Sequence, residues 1–456
     1  MAKTKTTYTC QNCGCQTPRW MGKCSDCGEW NTLVEEIIAP PDRQQSGFKP
    51  TSKPVKMRQI SLEDSQKRIH SGSKEFDRVL GGGIFPASVV LLAGEPGIGK
   101  STLMLQVMLN LQNRKLKTLY ISGEESLQQL KNRANRLSKS SDELMAVAET
   151  DIQAIEYHLA QIKPQIVVAD SIQALYSPEL SGAPGNVGQV RDCAARLFRL
   201  AKEQQFTLFL IGHVTKDGAV AGPKILEHLV DVVIYFEGNT QQHRIIRAVK
   251  NRFGAANELG VFEMRHNGLC EVNNVSSLFL NPHHQPMAGS SIVCSYEGSR
   301  PLLVEVQALV GRSSYGTPQR IVSGFDHRRL SLILAILEKH CQLNFGIHDV
   351  FVKVAGGFRI DDPGIDLGVA AALFSSRQER PLEKDTIYIG ELGLGGEVRP
   401  VSFIEQRLQE ARKIGFKQAF LPAANLPTGQ QRKQFKMMLS PVMLISELLI
   451  SSAPET

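Results

Sequence analysis

The segment Gly94-Glu95-Pro96-Gly97-Ile98-Gly99-Lys100-Ser101 sets a glycine-rich turn, a lysine and a hydroxyl in the order that holds a polyphosphate. Glycines let successive backbone N–H groups turn inward at a helix N-terminus, where the partial positive charge meets phosphate oxygens. Lys100 then reaches the β- and γ-phosphates of ATP, and the Ser101 hydroxyl ligates Mg2+. The context fits: an apolar strand run (88–93) leads in and a helical stretch (102–112) follows. A second apolar run, 165–170, ends in Asp170, placed to hold the Mg2+ water shell. A third, 118–122, delivers Gly123-Glu124-Glu125-Ser126. A carboxylate at such a strand end can orient the attacking water. Glu124 is the expected base and Glu125 the alternative; the bland reading is that both cap the next helix.

Cys10-Gln11-Asn12-Cys13 and Cys24-Ser25-Asp26-Cys27 form two C-x2-C pairs, each followed by glycine. Two such pairs supply four thiolates for tetrahedral Zn2+, and metal binding supplies folding energy to a module too small for a core of its own. One pair alone would fit a redox dithiol, but that reading leaves the second unexplained. Cys15 competes with Cys13 as a ligand; the repeated spacing favours Cys13. Trp20, Lys23 and Trp30 are candidate nucleic-acid contacts, although tryptophans beside so small a module more often form its only core.

Around these motifs the chain has to build elements that position them. Its 456 residues exceed one typical domain. Of nine cysteines, five fall within residues 10–27, a clustering that points to metal and not to a disulfide framework. Hydrophobic residues make up 42% and charged residues 21%, an ordinary globular balance. No apolar run nears the roughly 18 residues that cross a bilayer, and the start (Met1 to Tyr8) has no apolar signal core. A cytoplasmic protein with no membrane partner is therefore expected. Net charge is +7, compatible with a polyanionic partner but common elsewhere. Composition divides the chain into a zinc module (1–35), a flexible linker (36–59) rich in Pro and Lys, an α/β ATPase region (60–275) and a C-terminal α+β region (287–456).

Leu80-Gly81-Gly82-Gly83 ahead of the P-loop strand, the acidic strand end and the single Asp170 together resemble the RecA superfamily. Lys250-Asn251-Arg252-Phe253-Gly254 matches the KNRFG motif of the RadA (Sms) family, and with the four-cysteine element the resemblance covers essentially the whole chain. It implies a zinc ribbon, a RecA-like core with a mostly parallel sheet, and a Lon-protease-like domain. It implies a ring, a hexamer, in which Lys250 and Arg252 reach a neighbour's ATP site, like the basic residues of DnaB-type helicases. His213 would be a γ-phosphate sensor, against the bland reading of a strand-end histidine. Residues 177–188 and 214–224 would line a channel, with Lys216 and Lys224 on the phosphates of single-stranded DNA; otherwise they are surface loops.

The Lon resemblance rests on Glu305 to Val310 and Gly390-Glu391-Leu392. A Lon peptidase uses a serine activated by a lysine. Here Asp366 stands at the nucleophile position and Glu405 near the lysine position, so the domain is expected to be inactive as a protease. It is read as a scaffold, with Arg312, Arg320, Arg328 and Arg329 as a DNA surface or simply a solvated basic face. The resemblance implies a DNA-dependent ATPase of helicase or translocase type, using ATP, Mg2+ and Zn2+. It would act on single-stranded and branched DNA and promote branch migration with a RecA-type recombinase filament in break repair. The alternatives are an ATP-gated Lon-type protease, against which the missing Ser–Lys pair counts, and a KaiC-like signalling ATPase, which needs neither zinc ribbon nor Lon-like domain.

Overall fold

In the central strand β4 (Val89–Gly94) neighbouring residues point to opposite faces, and all are buried. Val90 and Leu92 join one apolar cluster, Val89 and Leu91 another. A strand apolar on both faces needs helices on both sides, which is the arrangement of a parallel α/β sheet. In this computed structural model the described residues are 5–10, 15–26, 28–38, 56, 67–138, 143–213, 223–237, 243–272, 274–280, 286–313, 316–356, 359–429, 432 and 435–451. The chain divides into two compact units, residues 1–237 with 242–271, and residues 238–241 with 272–456. Among the described residues no helix is long and apolar enough to cross a membrane.

The first unit opens with a three-stranded antiparallel ribbon, β1 (Lys5–Cys10), β2 (Gln16–Thr17) and β3 (Leu33–Ile38), ordered β2-β1-β3. Its core is small: Cys10, Cys24 and Leu33, with Tyr8 and Cys15 packed against them. The tryptophans take no part, being 54% and 67% exposed at Trp20 and Trp30. This corrects the expectation that they form the module's core; buried cysteines take that place.

The ATPase sheet adds β5 (Thr118–Ser122), β6 (Met145–Ala148), β7 (Ile166–Asp170), β8 (Thr207–His213) and β9 (Val232–Glu237). These run parallel with β4. An antiparallel extension follows: β10 (His243–Asn251), β11 (Leu259–Arg265) and β12 (Gly268–Glu271). The order is β12-β11-β10-β9-β4-β8-β7-β5-β6. Helices α1 (Lys74–Val79), α2 (Lys100–Gln112) and α3 (Leu127–Leu137) pack on one face, α4 (Ile152–Ile162) and α5 (Val187–Gln204) on the other. A short helix, α6 (Pro223–Glu227), leads into β9.

The second unit is a seven-stranded mixed sheet. It contains β13 (Ser290–Glu297), β14 (Arg300–Arg312), β15 (Arg320–Ser323), β16 (His348–Val354), β17 (Thr386–Tyr388), β20 (Gln418–Pro422) and β21 (Met438–Val442). Its order is β15-β16-β14-β13-β17-β20-β21, and β18 (Glu391–Leu392) with β19 (Val398–Arg399) forms a separate hairpin. Its helices are α7 (His327–Cys341), α8 (Asp366–Gln378), α9 (Ile404–Ile414) and α10 (Ile445–Ser451).

The KNRFG segment closes the ATPase unit by contact with the glycine run before β4. Phe253 stacks on Phe85 at 4.1 Å, and Arg68 donates to the carbonyls of Leu80, Gly83 and Phe253. Gly254 lies directly against Gly81, where an added Cβ would stand 2.8 Å from the Gly81 Cα. Backbone on both sides cannot yield as a flexible side chain would. Gly254→Ala should therefore destabilise this unit by about 1–3 kcal/mol, the usual cost of overpacking. A thermal melt in which the variant unfolds with the wild type would contradict this packing.

Candidate functional site

Parallel register brings four strand ends to one edge. Gly94 lies beside His213, Ser122 beside Asp170, and Asp170 beside Ile211. The phosphate loop leaves β4 here. Gly97 and Gly99 have φ of 75° and 118°, and Gly99 is the residue before α2, whose start no side chain caps. A glycine turn feeding an uncapped helix N-terminus suits an anion, so the residues present fit a nucleotide polyphosphate.

Lys100 is buried and donates from Nζ to the carbonyls of Gly94 (2.8 Å) and Glu95 (2.9 Å) and to His213 Nδ1 (3.1 Å). Burial pulls its pKa down to about 8, against the opposing fields of Asp170 and Glu124. His213 Nε2 lies 3.2 Å from Glu124 Oε1. One tautomer satisfies both contacts: Nδ1 accepts from Lys100 and Nε2–H donates to Glu124. Ser171 also donates to Glu124, and the hydrogen bond from His213, followed by that from Ser171, holds the Glu124 pKa down at about 2. Glu124 is thus a carboxylate beside the phosphate lysine.

Glu125 faces elsewhere. It pairs with Arg133 of α3 at 2.8 Å, and the same guanidinium stands 3.9 Å from Asp170. The helix that follows is capped by Ser126 and Gln129, so neither glutamate serves that purpose. Asp170 accepts a hydrogen bond from the fully buried Tyr120 hydroxyl. Ser101 sits in the first turn of α2. Arg244 donates to the Ile98 carbonyl at 2.8 Å and braces the loop from β10. Sequence reasoning missed Tyr120, Arg133, Ser171 and Arg244, since strand register, not motif spacing, brings them here.

Lys250 and Arg252 lie at the other end of the sheet. Lys250 pairs with Val233, which pairs with Leu91 in mid-strand, and the chain continues away from Gly94 to Asn251 opposite Val232. Lys250 Nζ donates to the Glu227 carbonyl at 2.7 Å, and burial, then Arg252, keeps its pKa below the ordinary value. Arg252 pairs with Asp231 at 3.4 Å and remains 58% exposed. The structure brings neither to its own phosphate loop.

Of the two expected channel loops, residues 177–188 are held by Gln189, whose side chain bonds Ser177, Leu180 and Gly182 backbone groups. This stretch contains no Lys or Arg. Residues 214–222, with Lys216, and the Lys224 side chain lie outside the described residues.

In the second unit Asp366 begins α8, buried, 2.7 Å from Arg329 and accepting from Leu392 N–H. Burial pushes its pKa up to about 6 despite that pairing. Glu405 is exposed in the first turn of α9. Arg329 is therefore committed to Asp366, a correction to its place on a solvated basic face. Arg320 bonds the carbonyls of Gln319, Phe345 and His348. Arg328 is exposed, as is Arg312, which pairs in register with His348. Burial and then the charges of Arg377, Arg312 and Arg320 lower the His348 pKa. His348 Nδ1 and Arg377 Nε are buried nitrogens with no hydrogen-bond partner among the described residues.

In the ribbon, Cys10 and Cys24 are buried. Cys10 N–H donates to Cys15 C=O, and Cys24 N–H donates to Glu29 C=O, both at 2.9 Å. The two turns correspond position by position, so Cys15 matches Glu29 and not Cys27. Cys13 and Cys27 lie outside the described residues. Two buried thiols at matching turns fit a zinc knuckle.

Three family models match: AAA domain over residues 56–219, Rubredoxin metal binding domain over 8–35, and Subunit ChlI of Mg-chelatase over 315–425. The chain is 49% identical over 433 residues to the DNA repair protein RadA of Bacillus subtilis (strain 168), covering 93% of this chain and 94% of that one. It is 48% identical over 427 residues to the Listeria monocytogenes protein of the same name, with 93% of each covered. The Pseudomonas aeruginosa protein of that name is 48% identical over 431 residues, covering 94% of this chain and 95% of the relative.

The lowered Lys100 pKa makes nucleotide binding pH-dependent. Below about 8 the side chain is a cation; as pH rises through that value it becomes neutral and loses its attraction for phosphate. The ATP dissociation constant should therefore rise between pH 7 and 9.5 at constant salt. In Lys100→Arg, whose guanidinium stays charged, whatever affinity remains should be flat over that range. A flat wild-type profile would refute the assignment. In the ribbon, elemental analysis of Cys15→Ser protein should still find one zinc per chain, and Cys13→Ser should lose it. The reverse result would exchange the two ligands.

Proposed function

The chain belongs to the RadA family of DNA repair proteins, and from that premise we propose that it is a DNA-dependent ATPase working as a ring-shaped motor. The ring is a hexamer in the cytoplasm, acts on single-stranded and branched DNA, and promotes branch migration of strands paired by a RecA-type recombinase. The observation that carries this reading is the opposition of two half-sites: Lys100, Asp170 and Glu124 at one end of the sheet, Lys250 and Arg252 at the other. A group that cannot serve its own phosphate loop can serve a neighbour's in a closed head-to-tail ring.

In this mechanism Lys100 holds the β- and γ-phosphates, Glu124 orients the attacking water, and His213 joins the two. Mg2+ held by Ser101 and Asp170 would neutralise phosphate charge, and Tyr120 and Arg133 keep the Asp170 carboxylate in place. Lys250 stabilises the charge developing on the neighbour's γ-phosphate, with Arg252 beside it. Zn2+ would be held by Cys10, Cys13, Cys24 and Cys27. DNA lies against the segments 177–188 and 214–224, with Lys216 and Lys224, and against Arg312, Arg320 and Arg328 of the second unit. A peptidase reading gains nothing from a nucleophile position filled by an aspartate paired to arginine.

The test is hydrolysis. Single-stranded DNA should raise the ATPase rate of the wild type. Lys250→Ala and Glu124→Ala should each bind ATP and hydrolyse it poorly. When their subunits are mixed and exchange, activity should return, because an intact Glu124 site then meets a neighbour's intact Lys250. Demonstrated exchange with no recovery would refute action in trans.

A further inference from the structure

The chain has two tryptophans in 456 residues, and both stand exposed on one hairpin of the zinc module. They are not ornaments of a loose loop. Lys23 and Trp30 form an antiparallel bridge, and Asn31 N–H donates to Gly22 C=O at 2.8 Å. Both indoles reach over Gly22, where a Cβ would lie 3.6 Å from the Trp30 ring and 4.0 Å from that of Trp20. The Lys23 ammonium sits 5.7 Å from the centre of the Trp30 ring, and Arg19 and Met21 are exposed beside it. The module's small core is complete without either indole.

We propose that this face, Trp20 and Trp30 with Lys23 and Arg19, is a stacking platform for unpaired bases of single-stranded nucleic acid. The proposal deepens the DNA-motor reading and rests on it. Large apolar rings left in water cost free energy unless a partner covers them. Indole faces stack on any base, and a duplex hides its base faces whereas a single strand offers them. Charge points the same way. Asp26 and Glu29 balance Arg19 and Lys23 within the hairpin, so a pure phosphate clamp is disfavoured there. The linker that follows in sequence carries Arg43, Lys49, Lys53, Lys56 and Arg58 against Glu36 and Asp42. A basic segment that follows an aromatic platform in sequence attracts the backbone and leaves the rings to the bases.

The same two tryptophans supply the probe, because all indole emission of the full chain comes from this face. Titrating the zinc-loaded protein with oligothymidylate should quench that emission saturably, and inorganic polyphosphate, which carries charge without bases, should not. Trp20→Ala and Trp30→Ala should each weaken oligothymidylate binding about fivefold or more by anisotropy of labelled DNA. Trp→Phe variants should recover part of it. Zinc content and circular dichroism check that the variants fold, and the wild-type quench needs no variant. Binding by anisotropy with unmoved emission would overturn the platform and leave the motor reading standing. No DNA binding by either readout would sink both. Equal quenching by polyphosphate, or emission moved only by a purified strand-exchange recombinase, would also overturn it, the latter in favour of a protein partner.

Discussion

The ATPase unit turns on a buried ammonium. Placing a lysine head group at the rim of an apolar sheet is costly, as its pKa of about 8 records. The cost is offset by two loop carbonyls, the His213 ring and the fields of two carboxylates. Each comes from a different strand end: Gly94 from β4, Glu124 after β5, Asp170 from β7, His213 from β8. The parallel register is thus what makes the site, and β4, apolar on both faces, is held between the helix layers that cover it. A slip of one residue would turn Val90 and Leu92 toward the wrong helices and carry the phosphate loop out of line with its partners.

The same register sets where the KNRFG segment must be. β10 runs antiparallel to β9, so residues that follow its start move steadily away from the phosphate loop. Lys250 and Arg252 end beside the entrance of β4, and Asn251, Phe253 and Gly254 tie that end to the glycine run before it. The motif therefore has two parts. Its asparagine, aromatic and glycine are fixed by packing within the chain, while its cations bond the Glu227 carbonyl and Asp231.

Legibility in the sequence followed the range of the interaction. The phosphate loop, the strand ending in Asp170 and the cysteine pairs are local signals, readable from spacing because a single turn creates their geometry. Tyr120 on Asp170, Ser171 on Glu124 and Arg244 on Ile98 join residues far apart in sequence, and only the folded sheet brings them together. Arg329 misled for the same reason: nothing in its neighbours shows that it crosses from α7 to a buried aspartate on α8. The tryptophans misled because the rule that a small module hides its aromatic residues assumes they are its only apolar matter. Here the cysteines, Leu33 and Tyr8 fill that volume.

The second unit uses its buried charges differently. Asp366 is locked to Arg329, and nearby Asp362 is locked to the buried Arg407 at 2.6 Å. Arg407 also reaches the Cys294 carbonyl and lies against Tyr296, which stacks on Phe403. These charges hold α7 to α8 and, through Arg407, α9 to β13. In the ATPase unit, by contrast, the hydrogen bonds gather on one side chain, Lys100. An ammonium has three donors, and those of Lys100 are taken by Gly94, Glu95 and His213. Any phosphate oxygen that bonds Lys100 must displace one of them. The carbonyls belong to the loop backbone itself, whereas the imidazole is a side chain at the last residue of β8. It is also the group that holds Glu124. Phosphate contact at Lys100 and the placement of the Glu124 carboxylate are therefore linked through one ring, at the point where the chain leaves the sheet.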